Sequence, residues 1–379
     1  MLFKGWPAMT DIVKLLQLGK QKNASDLHVV VSSPPLYRIH GILMPADDMP
    51  VLSPEDIEQA LKAITTEQEM ADFARNLELD FGRTIPEVGR VRFNAAKQRG
   101  SISLVARLLP VKIPAPEELG LPAICKELIK RPRGLVVISG PTGSGKSTTL
   151  ASMIEYLNQT ESRRVITIED PIEYTYENKK CTITQRELGH DTLSFAEALR
   201  HVLRQDPDVI LVGEMRDLET ASTALTVAET GHLVLTTGHA PSASQAVERI
   251  ANMFPPHERT LAQTRLASLL LGILCQSLVP KADGSGRVAA IEVMLANSAI
   301  RNLIRDGKTF QLPNAIRMST QQGMELLDQA LVRLYKNGAI KRDMVFDFCN
   351  DRDEITRLTG ERLDVKNNEP QPTLTTQFN

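Results

Sequence analysis

The residues with the clearest chemistry are consecutive: Gly140-Pro141-Thr142-Gly143-Ser144-Gly145-Lys146-Ser147-Thr148. The first eight satisfy G-x-x-x-x-G-K-[ST] in full. The glycines let backbone N–H groups curl around a phosphate, and a helix starting there adds the positive end of its dipole. Lys146 is placed to reach β- and γ-phosphates, and the Ser147 hydroxyl to bind Mg²⁺. Further on, Asp208 to Val212 is an apolar strand that runs through Gly213 into Glu214. A carboxylate at such a strand end can hold the Mg²⁺ shell or a water. Between these segments, Arg164 to Tyr174 reads as a buried strand running into Glu169, Asp170 and Glu173. Clustered carboxylates repel one another unless a cation or water is being managed. One of the three is a candidate for polarising an attacking water. ATP, with Mg²⁺ carried on it, is the ligand this set implies.

These side chains need a scaffold. From Leu119 strands alternate with helices, the mark of a parallel sheet covered on both faces. Gly134 to Ser139 is a continuous apolar strand, and Ser147 to Leu157 a helix with Leu150, Ile154 and Leu157 on one stripe. Val165–Ile168, Asp208–Val212 and His232–Thr236 read as strands. Ser194 and Glu197 form a capping box opening a helix to about Gln205, and Leu218 to Thr230 is another. After Pro255-Pro256 the chain reads as mainly helical. The apolar run Leu266 to Val279 is shorter than the ~18 residues of a membrane span and reads as a buried helix.

Ahead of this lies a small α/β unit. Ile12 to Lys20 is a short amphipathic helix, Leu27 to Val31 a β-branched run, and Leu36 to Leu43 a hairpin around Gly41. Ser53-Pro54 starts a helix. Glu78–Arg83, Gly89–Asn94 and Ser101–Leu109 read as strands. Pro110, Pro114 and Pro116 stiffen the segment that follows. The organisation is therefore an N-terminal α/β domain at 1–110, a proline-rich linker at 111–118 and a P-loop domain with C-terminal helices at 119–359. A polar tail at 360–379, with Pro370 and Pro372, reads as disordered. Met9 offers an alternative start.

Composition narrows the partners. The chain has 379 residues, which at ~150 per domain gives two or three domains. Lys+Arg 44 against Asp+Glu 46 gives a net charge of −2, and aromatics make up 4%. That argues against nucleic acid, which demands a basic stripe or stacking platforms. Lys130, Arg131 and Arg133 read as a solvated turn at a helix end. Neither a targeting nor a transmembrane segment is read. Cys125, Cys181, Cys275 and Cys349 are far apart without a C-x-x-C pair, so reduced thiols are the default.

At the acidic run the sequence resembles a known family. Glu169-Asp170-Pro171-Ile172-Glu173, Gly213-Glu214-Met215-Arg216-Asp217, and Glu229-Thr230-Gly231-His232 leading to His239 resemble the secretion and type IV pilus ATPase superfamily. Ala24-Ser25-Asp26-Leu27-His28 and Ala299-Ile300-Arg301-Asn302-Leu303-Ile304-Arg305 resemble its pilus-retraction, PilT-type branch. The resemblance covers Ser25 to Leu358. It implies an α/β fold: a smaller PAS-like domain followed by a RecA-like P-loop ATPase domain, in a homo-hexameric ring. Glu173 would activate the water, and Glu214 would stand near the metal. His232 and His239 would link the γ-phosphate to domain motion. Arg92, Arg99 and Arg107 would reach nucleotide at a subunit or domain boundary, where a planar cation suits a transferring phosphoryl group.

The implied activity is a motor ATPase that couples MgATP hydrolysis to disassembly of type IV pili, powering twitching motility. Its partners would be an inner-membrane pilus platform protein and a paralogous retraction ATPase. It would work in the cytoplasm, peripheral at the inner membrane. The alternatives are an accessory PilU-type motor or a pilus-assembly or type II secretion ATPase. Those assembly and secretion relatives usually carry a longer N-terminal region and a tetracysteine zinc module, and the missing C-x-x-C favours retraction. The sequence departs from the family twice. Thr237-Gly238-His239-Ala240 stands where Thr-Leu-His-Thr is usual, and Asp306 stands where the retraction motif ends in Glu. Arg301, Arg305 and Asp306, on the charged half of that helix, are candidates for partner contact.

Overall fold

The computed structural model describes residues 11–39, 41–46, 49–109 and 112–360. The alternative start at Met9, the first linker proline Pro110 and the tail beyond residue 360 lie outside the described residues.

The N-terminal unit begins with α1 (Ile12–Gln21), whose first N–H groups are capped by Asp11. β1 (Asp26–Val30), β2 (Leu36–Ile39) and β3 (Ile42–Pro45) follow as an antiparallel run. α2 (Pro54–Lys62) opens on a reciprocal Ser53–Asp56 box with Pro54 in its first turn. α3 (Glu67–Asn76), which the sequence reading passes over, opens on an equivalent Thr66–Glu69 box. Of its residues only Phe73 is fully buried, so no apolar stripe marks it as a helix. β4 (Glu78–Ile85), β5 (Gly89–Gln98) and β6 (Ser101–Leu108) complete a six-stranded sheet of order β3-β2-β1-β6-β5-β4. Alternate residues, among them Leu27, Val29, Phe93, Leu104 and Ala106, enter one core with Leu15, Leu16 and Ile57 of the helices. The opposite face carries Arg38, Asp26, Arg107 and Arg92 in one cross-strand row, each in register with the next.

The second unit contains α4 (Ile124–Ile129), β7 (Gly134–Ser139), α5 (Lys146–Thr160), β8 (Arg164–Glu169) and β9 (Thr182–Glu187). Next come α6 (Phe195–Val202), β10 (Val209–Val212), α7 (Leu218–Glu229), β11 (Leu233–Thr237), α8 (Ala243–Asn252) and α9 (Arg259–Leu269). β12 (Leu270–Pro280) and β13 (Arg287–Leu295) form a hairpin, and α10 (Ser298–Arg305), α11 (Leu312–Arg317), α12 (Leu327–Lys336), α13 (Arg342–Phe348) and α14 (Arg352–Thr359) close the chain. The sheet order is β13-β12-β7-β11-β10-β8-β9, with β13 antiparallel to its neighbour and the other pairs parallel. β7 shows why its sequence is uniformly apolar. Leu135 and Val137 enter the core under α6 to α9, while Val136 and Ile138 enter the other core with α4 and α5. The hydrophobic clusters of the two units are separate.

Two expectations are corrected here. Leu266 to Val279 is not one helix: α9 ends at Leu269 and the rest is β12, paired to β7 on one side and β13 on the other. A strand buried on both faces is as uniformly apolar as a buried helix, so periodicity cannot separate them. Gly272 marks the difference, since an added Cβ would come within 3.0 Å of the Met294 carbonyl oxygen across the hairpin. The same hairpin is the one strand pair in a segment that is otherwise helical after Pro256 among the described residues. Arg301 also changes role: it donates to the carbonyls of Ala267, Ser268 and Leu270, capping the end of α9 rather than standing free for a partner. Among the described residues no helix is long and apolar enough to cross a membrane.

Candidate active site

Parallel strands bring their C-terminal ends to one edge of the sheet, and four of those ends build the site. β7 leads into the phosphate loop, β8 into the acidic run, β10 into Gly213-Glu214 and β11 into Gly238-His239. Together they line a cavity of about 430 Å³ that includes Gly143, Lys146, Ser147, Glu173, Glu214 and His239.

The loop is shaped by its glycines. Gly140 has φ +139°, and a Cβ there would lie 2.3 Å from the Gln276 carbonyl oxygen. Beside Gly143 an added Cβ would meet nothing within 4 Å, which leaves its backbone open to an incoming phosphate. Lys146 Nζ donates to the carbonyls of Gly140 at 2.8 Å and Pro141 at 3.1 Å. Burial lowers the Lys146 pKa, and the Glu173 carboxylate works against that shift. Behind the loop, Gln276 of β12 donates to the Ser144 carbonyl and accepts from Thr149 Oγ1 at 2.8 Å. This buried side chain holds loop and α5 together. Ser144 Oγ is buried without a partner, and Thr148 bonds the Tyr174 hydroxyl at 2.9 Å. The cradle fits a nucleotide phosphate. The Ser147 hydroxyl, which lines the same cavity as Asp170, Glu173 and Glu214, suits a hard cation. Among the described residues no group of three or more His, Cys, Asp or Glu is arranged to hold a metal by itself. Magnesium would thus need the nucleotide's oxygens to complete its shell.

The three carboxylates of the acidic run are not equivalent. Glu169 accepts from Thr167 Oγ1 at 2.6 Å and Gln185 Nε2 at 3.1 Å, and burial pushes its pKa up to about 7. Asp170 lines the cavity, and Glu173 is exposed on its wall. Opposite, His239 Nε2 lies 3.1 Å from Glu214 Oε2, and Arg216 pairs with the other Glu214 oxygen. Burial, then the Lys146 cation, lowers the His239 pKa, so its ring is neutral at neutral pH. Ser139 ties this loop to β7: its Oγ donates to the Ala240 carbonyl at 2.7 Å and accepts from the Ala240 N–H at 2.9 Å. Gly238 permits the approach, since an added Cβ would stand 3.2 Å from Ser139 Oγ.

Other expected residues lie elsewhere. His232 precedes β11 and His239 follows it, so the five residues of that strand, roughly 17 Å at ~3.3 Å per residue, stand between them. His232 Nδ1 faces Thr230 Oγ1 at 3.1 Å and the Val227 carbonyl at 3.2 Å, at the far end of the sheet from the cavity. His232 is not among the residues that line the cavity of its own chain. Arg99 sits exposed at the β5–β6 turn, with φ +45°, seven residues along β5 from Arg92. That is roughly 23 Å away, so Arg99 stands apart from Arg92 and Arg107. Arg92 and Arg107 are paired in register on the open sheet face, the first beside Asp80 and the second bonded to Asp26 at 2.8 Å. Burial alone would raise the Asp26 pKa, but the Arg107 and Ser25 bonds outweigh it and hold the carboxyl low. Neither arginine lines the cavity of its own chain.

Three residues of the site region escape sequence reasoning. Gln276 was hidden in the run read as a helix. Arg287 lines the cavity from the start of β13, and nothing in its local sequence marks it. Arg90 donates to Glu187 of β9 at 2.5 Å, crossing from one unit to the other. Its signal was Gly82, a glycine inside a strand.

A phosphate loop on an interior strand of a doubly covered parallel sheet, flanked by carboxylates and a histidine at adjacent strand ends, defines a RecA-like P-loop ATPase domain. Here a smaller PAS-like α/β domain precedes it. Residues 121–325 match the family model described as Type II/IV secretion system protein. The type IV pilus retraction ATPase PilT of Pseudomonas aeruginosa is 45% identical over 333 residues, covering 88% of this chain and 96% of that one. The type IV pilus ATPase PilU of the same organism is 45% identical over 354 residues, covering 93% and 92%. The crystal structure of the pilus retraction motor PilT with bound ADP matches with a TM-score of 0.87 at 44% identity, over 92% of this chain and 99% of that one. The chain belongs to the Type II/IV secretion system ATPase family, on its PilT-type retraction branch. It is an ATP-hydrolysing motor enzyme.

Proposed function

We propose that this chain couples MgATP hydrolysis to the retraction of type IV pili and so powers twitching motility. The observation that carries the reading is the convergence of Lys146, Ser147, Glu173, Glu214 and His239 on one cavity, in a chain that spans 96% of a PilT relative. Lys146 and the loop N–H groups would bind the phosphates, and Ser147 with Glu214 would border the Mg²⁺ shell. Glu173 is the water activator in this reading. Its exposure on the cavity wall supports that role, because Glu169 is committed to Thr167 and Gln185. His239, bonded to Glu214, would report the γ-phosphate to the β11 end.

Arg92 and Arg107 do not line the cavity of their own chain, which supports a role at the boundary with a neighbouring subunit in a homo-hexamer. The ring would act on an inner-membrane platform protein from the cytoplasmic side, with no nucleic acid involved. A second reading, the accessory PilU-type motor, is favoured by equal identity to PilU and by its coverage of 93% of this chain. In that case a paralogous retraction ATPase would be the partner. The test is a count of surface pili, by electron microscopy, on cells lacking the gene. Excess filaments with lost surface motility are expected. Bald cells would overturn retraction in favour of assembly, and unchanged filament number would favour the accessory motor.

A further inference from the structure

Glu187 closes β9, in register with Glu169 at the end of β8. Its side chain is only 4% exposed. One oxygen, Oε2, accepts from two donors: Arg90 Nη2 at 2.5 Å and the backbone N–H of Ile172 at 3.2 Å. Ile172 immediately precedes Glu173. Two hydrogen bonds through one carboxylate oxygen therefore run from the N-terminal sheet to the peptide that carries Glu173.

Both partners are built into place. The Arg90 guanidinium lies over Gly82 of β4, where an added Cβ would come within 2.5 Å of Nη2 and 2.9 Å of Cζ. A glycine weakens a strand interior, and here it leaves the room the arginine occupies. On the other side, the turn after β9 fixes Glu187. Its N–H donates to the Asp191 carboxylate at 2.8 Å, and its carbonyl accepts from the Asp191 N–H at 2.8 Å. His190 Nε2 stands 3.7 Å from the second carboxylate oxygen. Among the described residues the two units share no hydrophobic cluster, and units joined without a large apolar interface move relative to one another by default. A mostly buried ion pair resists partial loosening, because each separated member is left without a partner.

The geometry points to Arg90 and Glu187 as a positioning pair that sets Glu173 according to where the N-terminal sheet sits. With the pair made, Glu187 anchors the Ile172 N–H and Glu173 is held on the cavity wall. With it broken, residues 170–173 lose that anchor. The inference rests on the reading of Glu173 as water activator. It concerns contacts within one chain, unlike the boundary role of Arg92 and Arg107.

The test compares Arg90→Ala, Arg90→Lys, Glu187→Gln, the Arg90→Ala/Glu187→Gln double variant and Glu173→Gln in the full chain. Each is assayed for steady-state ATPase, nucleotide binding and thermal melting. R90A and E187Q are expected to lower kcat about 10- to 100-fold, as a small misplacement of a catalytic group does. The KM for ATP should stay close to wild type. The double variant should be no slower than the slower single, and R90K should recover part of the loss. Wild-type kcat in R90A beside a slow E173Q would overturn the coupling and leave the activator reading intact. Additive losses in the double variant, or a loss seen only in KM, would overturn it as well. A wild-type rate in E173Q would remove the activator reading, and the coupling with it. If R90A melts early, the isosteric E187Q and the charge-keeping R90K decide.

Discussion

The two sheets place their chemistry differently because they are covered differently. In the ATPase sheet helices bury both faces, and the side chains of the site gather where strands end. Lys146, Glu173, Glu214 and His239 all belong to such ends or to the loops that leave them. In the N-terminal sheet one face packs on helices and the other stays open. Arg38, Asp26, Arg107 and Arg92 stand in a row across that open face. A strand-end site draws its lining from several strand ends of one chain. A face-mounted row is broad and needs something brought against it. The difference teaches that the ATPase sheet carries the phosphate cradle at its strand ends, while the N-terminal sheet offers a face to what docks on it and a link such as Arg90 to Glu187.

Breaking the strand-end site has the largest expected effect. Lys146→Ala should abolish nucleotide binding and turnover together. Glu173→Gln should keep MgATP binding but slow phosphate release about 10²- to 10⁴-fold, the range of a lost general base. Equilibrium nucleotide binding and steady-state phosphate release separate the two, and E173Q turnover at the wild-type rate would remove Glu173 from its role.

The open face gives a smaller and more conditional effect. Arg107 is already bonded to Asp26, so Arg107→Ala should cost less than the ~10³-fold of a dedicated arginine finger, with Arg92→Ala alike and Arg99→Ala close to wild type. Specific activity should also rise steeply with protein concentration as rings form. A flat profile down to a confirmed monomer would put every catalytic group in one chain and erase the contrast between the sheets.

The smallest effect sharpens the burial of the strand ends. Burial pushes the Glu169 carboxyl up from its ordinary value of 4.5 to about 7 in the folded chain. The folded state therefore binds its proton more tightly than the unfolded state does. The associated stability is fully present below about pH 4.5 and is lost as pH rises through about 7. Glu169→Gln, neutral throughout, should melt close to wild type at about pH 5 and a few degrees above it at about pH 8. A difference in melting temperature that does not change with pH would mean that Glu169 is ionised in the folded chain.

Much of the fold was legible because its signals are local. Ser53-Pro54 and the apolar strand before Gly140 declare themselves within a few residues. Leu266 to Val279 did not, because burial on both faces erases the alternation that marks a strand. α3 was invisible for the opposite reason, a helix with a single fully buried side chain, Phe73. At the site the limit was distance. His232 and His239 look alike in sequence, yet five strand residues carry them to opposite ends of β11.

The sequence by itself determined the phosphate loop, because one contiguous pattern specifies the turn, the helix start and the reacting groups together. It also determined that acids follow β8 and β10, since an apolar run ending in a carboxylate is read directly. Only the tertiary structure decided which groups meet there. The strands assemble as β12-β7-β11-β10-β8-β9 rather than in chain order. That order sets Gln276 behind the loop, His239 against Glu214, and Arg90 of the other sheet against Glu187. Strand order is set by how two cores close on the faces of a sheet, and that packing leaves no mark within any short stretch of chain.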